Sequence, residues 1–179
     1  MPTSSNEGKE TIRQWVSNFA SDVNTVLDLG VGQGTYHKMF TKRKFGNLLS
    51  HAYWIGVEAW NPYIVEFDLN NKYNKIINDD IRKVDFSSLG DIDLVFAGDV
   101  LEHMTKEDSI LVVNRLLVNC KRIIISIPIV HFPQEQINDN PFEEHVKDDW
   151  SNHEVLESFN NITASWLGQT IGVYLLERK

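Results

Sequence analysis

Three glycines alternate in the stretch VLDLGVGQGTY, at Gly30, Gly32 and Gly34, directly after an apolar run. Glycine permits positive φ angles and lets a ligand approach the main chain closely. The free N–H groups at the start of a following helix can bind an anion or a carboxylate. Asp28 lies two residues before the first glycine, and its carboxylate suits a cationic or hydrogen-donating ligand. The spacing therefore predicts a ligand-binding turn.

The same turn differs from two common nucleotide-binding motifs. A P-loop needs Gly-Lys-Ser/Thr, which is missing here. A dinucleotide fingerprint places its third glycine three residues after the second, where this chain has Thr35. A carboxylate at Asp28 would also repel a pyrophosphate.

Apolar runs alternate with helical patterns along the chain, which predicts βαβ units around a mostly parallel sheet. The predicted strands are 25–29, 53–57, 73–77, 92–97 and 122–127, followed by an antiparallel hairpin of 162–167 and 171–177. The predicted helices are 9–21, 35–43, 106–119 and 151–159. In open α/β sheets ligands bind at the carboxyl ends of the strands, which is where the glycine turn lies. We expect a single domain over 1–179, with its N-terminal helix within 1–22.

The pattern D-x-G-x-G-x-G that starts at Asp28 resembles motif I of class I S-adenosylmethionine (SAM) dependent methyltransferases. The run DVLEH at 99–103 resembles the motif IV region of the small-molecule type, including ubiquinone-type enzymes. The terminal hairpin is similar to the family's reversed last strand. The resemblance covers 25–178. It implies a Rossmann-like, seven-stranded, mostly parallel sheet with an antiparallel last strand and helices on both faces, and it implies SAM as the cofactor.

The resemblance also implies a set of cofactor-binding residues. Glu58 would accept hydrogen bonds from the ribose hydroxyls, and Asp80 from the adenine amine, with Asp79 as an alternative for that role. Asp99 would contact the methionyl end or cap the next turn. The interval from Asp28 to Glu58 exceeds the roughly 20 residues of a compact dinucleotide unit, which we attribute to an insertion at 42–51. The complete predicted set is Asp28, Gly30, Gly32, Gly34, Glu58, Ala59, Asp79, Asp80, Ile81, Gly98 and Asp99.

A long loop at 128–150 interrupts the alternation of strands and helices, and such a loop in a compact domain is usually functional. We expect it to be an ordered lid over the acceptor. Its run NPFEEHVKDDW is similar to a segment of methyltransferases from surface-glycan and sugar-modification clusters. His145 is the candidate general base because an unperturbed histidine titrates near neutral pH; the alternative is a histidine that orders the loop. The predicted substrate-binding residues are His103, His131, Asn140, Glu144 and Trp150.

Glu102 and the histidines are also residue types that bind metals. No compact ligand spacing such as H-E-x-x-H is present, and we predict no metal site.

The net charge of −8 argues against nucleic acid as a partner, because such binding needs a basic face. Asn140-Pro141-Phe142 only superficially echoes the motif of amino-methylating DNA enzymes. A single cysteine, Cys120, and the lack of a secretion-signal pattern or a membrane-length apolar run predict a cytoplasmic protein that does not bind membranes. A homo-oligomer is an open possibility.

These features predict a SAM-dependent methyltransferase that acts on a small molecule, with a sugar hydroxyl as the first candidate. Two alternatives remain open at this point. One is a SAM-binding protein without transferase activity, such as a regulatory or partner subunit. The other is a nucleotide-cofactor oxidoreductase of similar architecture, against which Asp28 and the early third glycine argue.

Overall fold

The apolar runs of the sequence form one seven-stranded sheet in the computed structural model, which describes residues 5–42 and 46–178. The strands are β1 (Thr25–Leu29), β2 (Tyr53–Val57), β3 (Lys75–Ile77), β4 (Ile92–Gly98), β5 (Cys120–Pro128), β6 (Ile162–Leu167) and β7 (Ile171–Glu177). Their order in the sheet is β3-β2-β1-β4-β5-β7-β6. Strands β1 to β5 are parallel, and β7 runs antiparallel to both of its neighbours. The predicted sheet is therefore confirmed.

Helices cover both faces of this sheet, also as predicted. They are α1 (Lys9–Ser17), α2 (Thr35–Thr41), α3 (Asn61–Glu66), α4 (Lys106–Asn119) and α5 (Asn152–Ser158). Side chains alternate along a strand, so Leu27 and Leu29 of β1 pack with α4 and α5, whereas Val26 packs with α1, α2 and α3. Asp28 lies on the same face of the sheet as Val26, so its side chain contacts residues that pack on that face.

Several boundaries differ from the sequence prediction. Helix α1 ends at Ser17 and is followed by a short 3₁₀ turn, Ala20–Asp22. Helix α3 was not predicted, because six residues are too few to show a helical period. Strand β5 extends beyond 122–127 at both ends. Part of the expected insertion at 42–51, and the predicted end of the second helix at residue 43, lie outside the described residues.

The parallel strands end at one edge of the sheet, and the turns that follow them meet there. These are the glycine turn after β1, the segment from Glu58 after β2, and Asp99 after β4. The loop at 128–150 starts at the end of β5 beside them. Within the described ranges, no helix has the length and apolar character that crossing a bilayer requires.

Candidate functional site

A cavity of about 360 Å³ opens at the carboxyl edge of the sheet, beneath the loop at 128–150. Its wall includes most of the residues that the sequence predicts for a site. They are Gly30, Gly32, Glu58, Ala59, Asp80, Ile81, Gly98, Asp99, His103, Asn140 and His145. The fold thus brings the predicted cofactor turn to one space with His103, Asn140 and His145.

The three glycines of the turn all have positive φ angles, of 59°, 48° and 75°, but they have different surroundings. A Cβ at Gly30 would lie 2.5 Å from Cγ2 of Val100, so this glycine permits close packing. Among residues 5–42 and 46–178, the atom nearest to a Cβ at Gly32 would be the Gly30 carbonyl oxygen, at 4.0 Å. Gly34 begins helix α2 and lies next to Tyr73 rather than on the cavity wall. Gly32 is therefore the position where bare main chain faces the cavity.

Glu58 holds this turn in place. Its carboxylate accepts hydrogen bonds from the main-chain N–H of Gly32, at 2.9 Å, and of Trp60, at 2.8 Å. Burial raises the pKa of Glu58, and these two N–H donors oppose that shift. A carboxylate offers about four lone-pair positions, so Glu58 still has acceptor capacity toward the cavity. It joins the turns after β1 and β2 into one wall.

Asp28 does not line the cavity. Its carboxyl is 2% exposed and accepts a 2.6 Å hydrogen bond from the Tyr73 hydroxyl, on the side of the sheet that carries α1, α2 and α3. Burial raises the pKa of Asp28 to about 7. The residue supports the glycine turn from behind, and the structure does not place it against a ligand in the cavity.

The two aspartates after β3 differ in position. Asp80 lies on the cavity wall and binds the Arg82 guanidinium through both carboxylate oxygens, at 2.6 to 2.9 Å. Asp79 is not part of the wall, and its carboxylate accepts from the Asp80 N–H at 2.8 Å. Asp80 thus faces the cavity, and Asp79 does not.

The end of β4 contacts the N-terminal helix through a buried lysine. Lys9 donates a 2.7 Å hydrogen bond to the Tyr36 hydroxyl and lies 3.7 Å from an Asp99 carboxylate oxygen. A Cβ at Gly98 would lie 2.1 Å from the Tyr36 ring, so Gly98 makes room for that ring. Asp99 has a φ of 52°, a left-handed backbone that is uncommon for a residue with a side chain. Such conformations cluster at functional sites.

Glu102, His103 and His145 lie together at the other end of the cavity. The rings of His103 and His145 meet edge to face, with centroids 4.8 Å apart. Burial lowers the pKa of His103 to about 4, so this ring is neutral at physiological pH. Burial and the nearby Asp99 carboxylate raise the pKa of Glu102 well above its usual range. The neutral His103 ring and the buried Glu102 carboxyl therefore face the same end of the cavity.

Of the remaining predicted substrate-binding residues, one lies on the cavity wall and three do not. Asn140 is buried on the wall, and its side chain accepts from the Phe142 N–H at 3.0 Å. Glu144 lies off the wall and contributes its carbonyl oxygen to His103. His131 is exposed and lies 3.5 Å from an Asp148 oxygen. Trp150 is buried in the core against Phe159. The structure does not bring the last three side chains to the cavity.

Sequence reasoning missed several residues of the wall. Tyr36, Glu143, Phe132 and Phe142 all line the cavity. The aromatic residues in the loop were visible as apolar residues in a polar segment, which was a usable signal. The sequence pattern indicates only that Tyr36 is a core residue of a helix. Its contact with Lys9 arises from the fold and could not be predicted from a local pattern.

Carboxyl groups outnumber basic groups at the wall, although Asp99 lies 3.7 Å from the buried Lys9. The carboxyl groups of the wall belong to Glu58, Asp80, Asp99, Glu102 and Glu143. Among the described wall residues Arg82 is the one arginine or lysine, and it is already paired with Asp80. The field of this wall favours a cationic ligand over an anionic one.

Comparisons with known proteins agree on the fold. No protein-family model and no curated protein matches the chain. Among solved structures, the N-terminal domain of EvdMO1 with S-adenosylhomocysteine (SAH) bound has a TM-score of 0.69 at 12% identity, over 98% of this chain and 83% of that one. Magnesium protoporphyrin IX methyltransferase from Synechocystis PCC 6803, also with SAH bound, has a TM-score of 0.64 at 14% identity, over 95% and 83%. The small RNA methyltransferase HEN1 has a TM-score of 0.63 at 16% identity, over 100% of this chain and 26% of that one.

Proposed function

We propose that this chain, which has the class I methyltransferase fold of these neighbours, is a SAM-dependent methyltransferase that acts on a small-molecule acceptor. The observation that carries the proposal is the bare main chain at Gly32, tied to Glu58 and facing an acidic cavity. SAM carries a sulfonium and an ammonium, and both charges suit such a wall. A pyrophosphate cofactor would be repelled by it, which disfavours a nucleotide-cofactor oxidoreductase.

Each part of the cofactor has a matching group on the wall. The glycine turn lies beside the methionyl end, and Glu58 has acceptor capacity for the ribose hydroxyls. Asp80 and Ile81 suit the adenine, and Asp99 suits the methionyl ammonium. These roles match the sequence prediction except for Asp28, Gly34 and Asp79, which we assign to support of the turns and not to ligand contact.

Methyl transfer from a sulfonium is an in-line displacement, so the protein must chiefly align the acceptor, the methyl carbon and the leaving sulfur. A hydroxyl acceptor also loses its proton as the new bond forms. We assign that proton to Nε2 of His145, because Nδ1 already contacts the Phe132 carbonyl oxygen, at 2.6 Å. His145 and His103 lie on the same wall as the glycine turn, which fits a base near the transferred methyl group.

The acceptor lies, in this proposal, between the lid at 128–150 and the cluster at Glu102, with Asn140 and His103 as contacts. A sugar hydroxyl is our first candidate, because an uncharged polyol suits buried polar groups and an acidic wall. The same acidity disfavours nucleic acid, although one neighbour in fold is an RNA methyltransferase. The buried Cys120 fits a cytosolic protein, since a reducing compartment keeps a lone thiol reduced.

Titration calorimetry with SAM, SAH and NAD⁺ tests the cofactor. We expect SAM and SAH to bind at one site per chain and NAD⁺ not to bind. Asp80→Asn should weaken SAH binding, whereas the control Asp79→Asn should leave it unchanged, because only Asp80 lies on the wall. Binding of NAD⁺ in place of SAH would refute the proposal.

A transfer assay with methyl-labelled SAM tests the acceptor class and the base. Neutral sugars, nucleotide sugars, small acids, amines, RNA and protein form the panel. If His145 removes the proton, His145→Gln should lower kcat about 10²- to 10⁴-fold, and the exposed lid control His131→Gln should not. Label found only in RNA or protein would refute a small-molecule acceptor, and stoichiometric SAM binding without turnover would favour a binding protein.

A further inference from the structure

Two buried carboxyl groups line the end of the cavity where the acceptor is proposed to bind. Glu102 belongs to a 3₁₀ turn, Leu101–His103, that follows β4, and Glu143 belongs to the lid. Their side chains are 2% and 9% exposed, and both residues are part of the cavity wall. Arg82, the one arginine or lysine among the described wall residues, is paired with Asp80. The two carboxyl groups are therefore open to a ligand.

Glu102 carries an unsatisfied hydrogen-bond acceptor. Its Oε2 is buried and has no hydrogen-bond partner among residues 5–42 and 46–178. Nearly all buried polar atoms of folded proteins are paired, so an unpaired one points to a ligand. Burial raises the pKa of Glu102 well above its usual range, and the Asp99 and Glu143 carboxyls add to this shift. A cation bound here would satisfy the oxygen and relieve the crowding of like charges.

The neighbours of Glu102 limit what this cation can be attached to. One hydrogen-bonding atom each of Glu102, His103 and His145 lies within 4.8 Å of the other two. Burial lowers the pKa of His103 to about 4, so its ring is neutral at physiological pH and does not repel a cation. Since Nδ1 of His145 lies 2.6 Å from the Phe132 carbonyl oxygen, Nε2 is the nitrogen that can meet an acceptor. A charged group at Glu102 and a hydroxyl at His145 can thus belong to adjacent carbons of one molecule.

We propose that the acceptor is a vicinal amino alcohol, such as an amino sugar, whose ammonium binds Glu102 and Glu143 and whose neighbouring hydroxyl receives the methyl group. This inference rests on the proposed function and adds a charged group to its acceptor. An ammonium has three N–H donors, enough for both carboxylates. Hydrogen bonds between charged groups are also about twice as strong as those between neutral ones.

The ammonium directs the methyl group to oxygen. A protonated nitrogen has no lone pair and cannot attack the methyl carbon, and two carboxylates favour the protonated form. The hydroxyl oxygen bonds to the methyl carbon as the bond from that carbon to sulfur breaks, and the electron pair of the broken bond stays on sulfur. The hydroxyl proton passes to Nε2 of His145. The products are the O-methyl amino alcohol, still protonated at nitrogen, and SAH.

Calorimetry with three simple sugars, with and without SAH, tests the need for a charge. Glucosamine, glucose and N-acetylglucosamine share one ring and differ in a single substituent, which is an ammonium, a hydroxyl or an amide. We expect glucosamine to bind the native chain about 10- to 150-fold more tightly than the other two, on the scale of hydrogen bonds to charged groups.

Two variants of the wall and one control locate this preference. Glu102→Gln keeps the shape of the side chain and should abolish the preference for glucosamine, and Glu143→Gln should reduce it. Glu144→Gln is the matched control, because Glu144 is the next residue of the lid but lies off the wall. It should retain the full preference. Glu102→Gln should bind SAH as the native chain does, which also shows that the variant is folded.

Several results would overturn the proposal. They are equal binding of glucosamine and glucose, a preference that survives in Glu102→Gln, and transfer of labelled methyl from SAM to nitrogen. Loss of SAH affinity in Glu102→Gln would assign this carboxyl to the cofactor and would overturn it as well. Failure of the native chain to bind SAM or SAH would instead refute the proposed function, whereas the sugar preference is measured without either compound. The two proposals therefore fail separately.

Discussion

Gly30 and Gly32 should respond differently to the same substitution. In Gly30→Ala the new Cβ would lie 2.5 Å from Cγ2 and 3.1 Å from Cβ of Val100, which is a buried side chain. In Gly32→Ala the new Cβ would have only the Gly30 carbonyl oxygen within reach, at 4.0 Å. Both positions have positive φ, so both variants share the backbone strain. A comparison of the two variants therefore separates the effect of packing on stability from the effect of the new methyl group on ligand binding.

The magnitudes follow from these surroundings. A left-handed backbone costs a residue with a side chain about 1–2 kcal/mol, which is the full expected loss of stability in Gly32→Ala. Overpacking against Val100 adds about 1–3 kcal/mol in Gly30→Ala. For SAH binding the order should reverse, because a methyl group at Gly32 enters the cavity where we propose that the cofactor binds. A steric cost of about 1–3 kcal/mol there weakens binding about 5- to 150-fold.

Urea denaturation, followed by tryptophan fluorescence, measures the stability of each variant, and calorimetry with SAH measures its affinity for the ligand. Gly34→Ala is the matched control: Gly34 has the left-handed φ of 75° and ψ of 43°, a Cβ there makes ordinary contacts at 3.4 Å and beyond, and the residue lies off the cavity wall. It should lose as much stability as Gly32→Ala and bind SAH normally. Native SAH affinity in Gly32→Ala, or equal stability of the Gly30 and Gly32 variants, would refute the assignment of these glycines.

Three further predictions concern buried groups. Burial raises the pKa of Asp28 from 3.8 to about 7, so between these pH values the folded chain binds one proton more than the unfolded chain. The free energy of unfolding should therefore fall as the pH rises from about 4 to about 7, by up to about 4 kcal/mol. Asp28→Asn should flatten this dependence in denaturation series across that window; unchanged slopes would contradict the shift. Burial raises the pKa of the Cys120 thiol to about 12, so iodoacetamide should modify it only as the chain unfolds in urea, and rapid labelling of the native chain would contradict its burial. Lys9→Met removes the hydrogen bond that Lys9 donates to the buried Tyr36 hydroxyl and should lower the stability measured by thermal denaturation by about 1–3 kcal/mol. Lys9→Gln is the control variant, because it retains a donor. Equal stability of Lys9→Met and the native chain would show that the contact contributes nothing.

The sheet and the cofactor turn were accessible from the sequence for a physical reason. Buried parallel strands appear as continuous apolar runs, and glycines mark a turn where side chains are excluded. Glu58 could be located because it directly follows β2, and Asp80 because it lies three residues after the end of β3. The register of the strands then determined that these positions share one edge.

Other features depended on contacts that no local pattern records. Asp28 was predicted at a ligand because it precedes the glycines, but the alternation of side chains along β1 turns it to the opposite side, where Tyr73 meets it. Trp150 lies in a polar segment, yet its large ring packs in the core beside Phe159. Glu102 and His145 meet on the cavity wall although they lie far apart in the chain, so no local spacing in the sequence could place them together.

Main-chain hydrogen bonds help to hold the lid in place. The N–H of Phe132 donates to the Asp148 carbonyl oxygen at 2.7 Å, and that of His145 to the Gln134 carbonyl oxygen at 3.0 Å. Peptide groups are the same whatever side chain they carry, so this scaffold should tolerate replacement of the aromatic residues that line the cavity. A library randomised at Phe132 and Phe142 should therefore yield many folded proteins, in which the shape of the proposed acceptor site varies while its main-chain frame is retained.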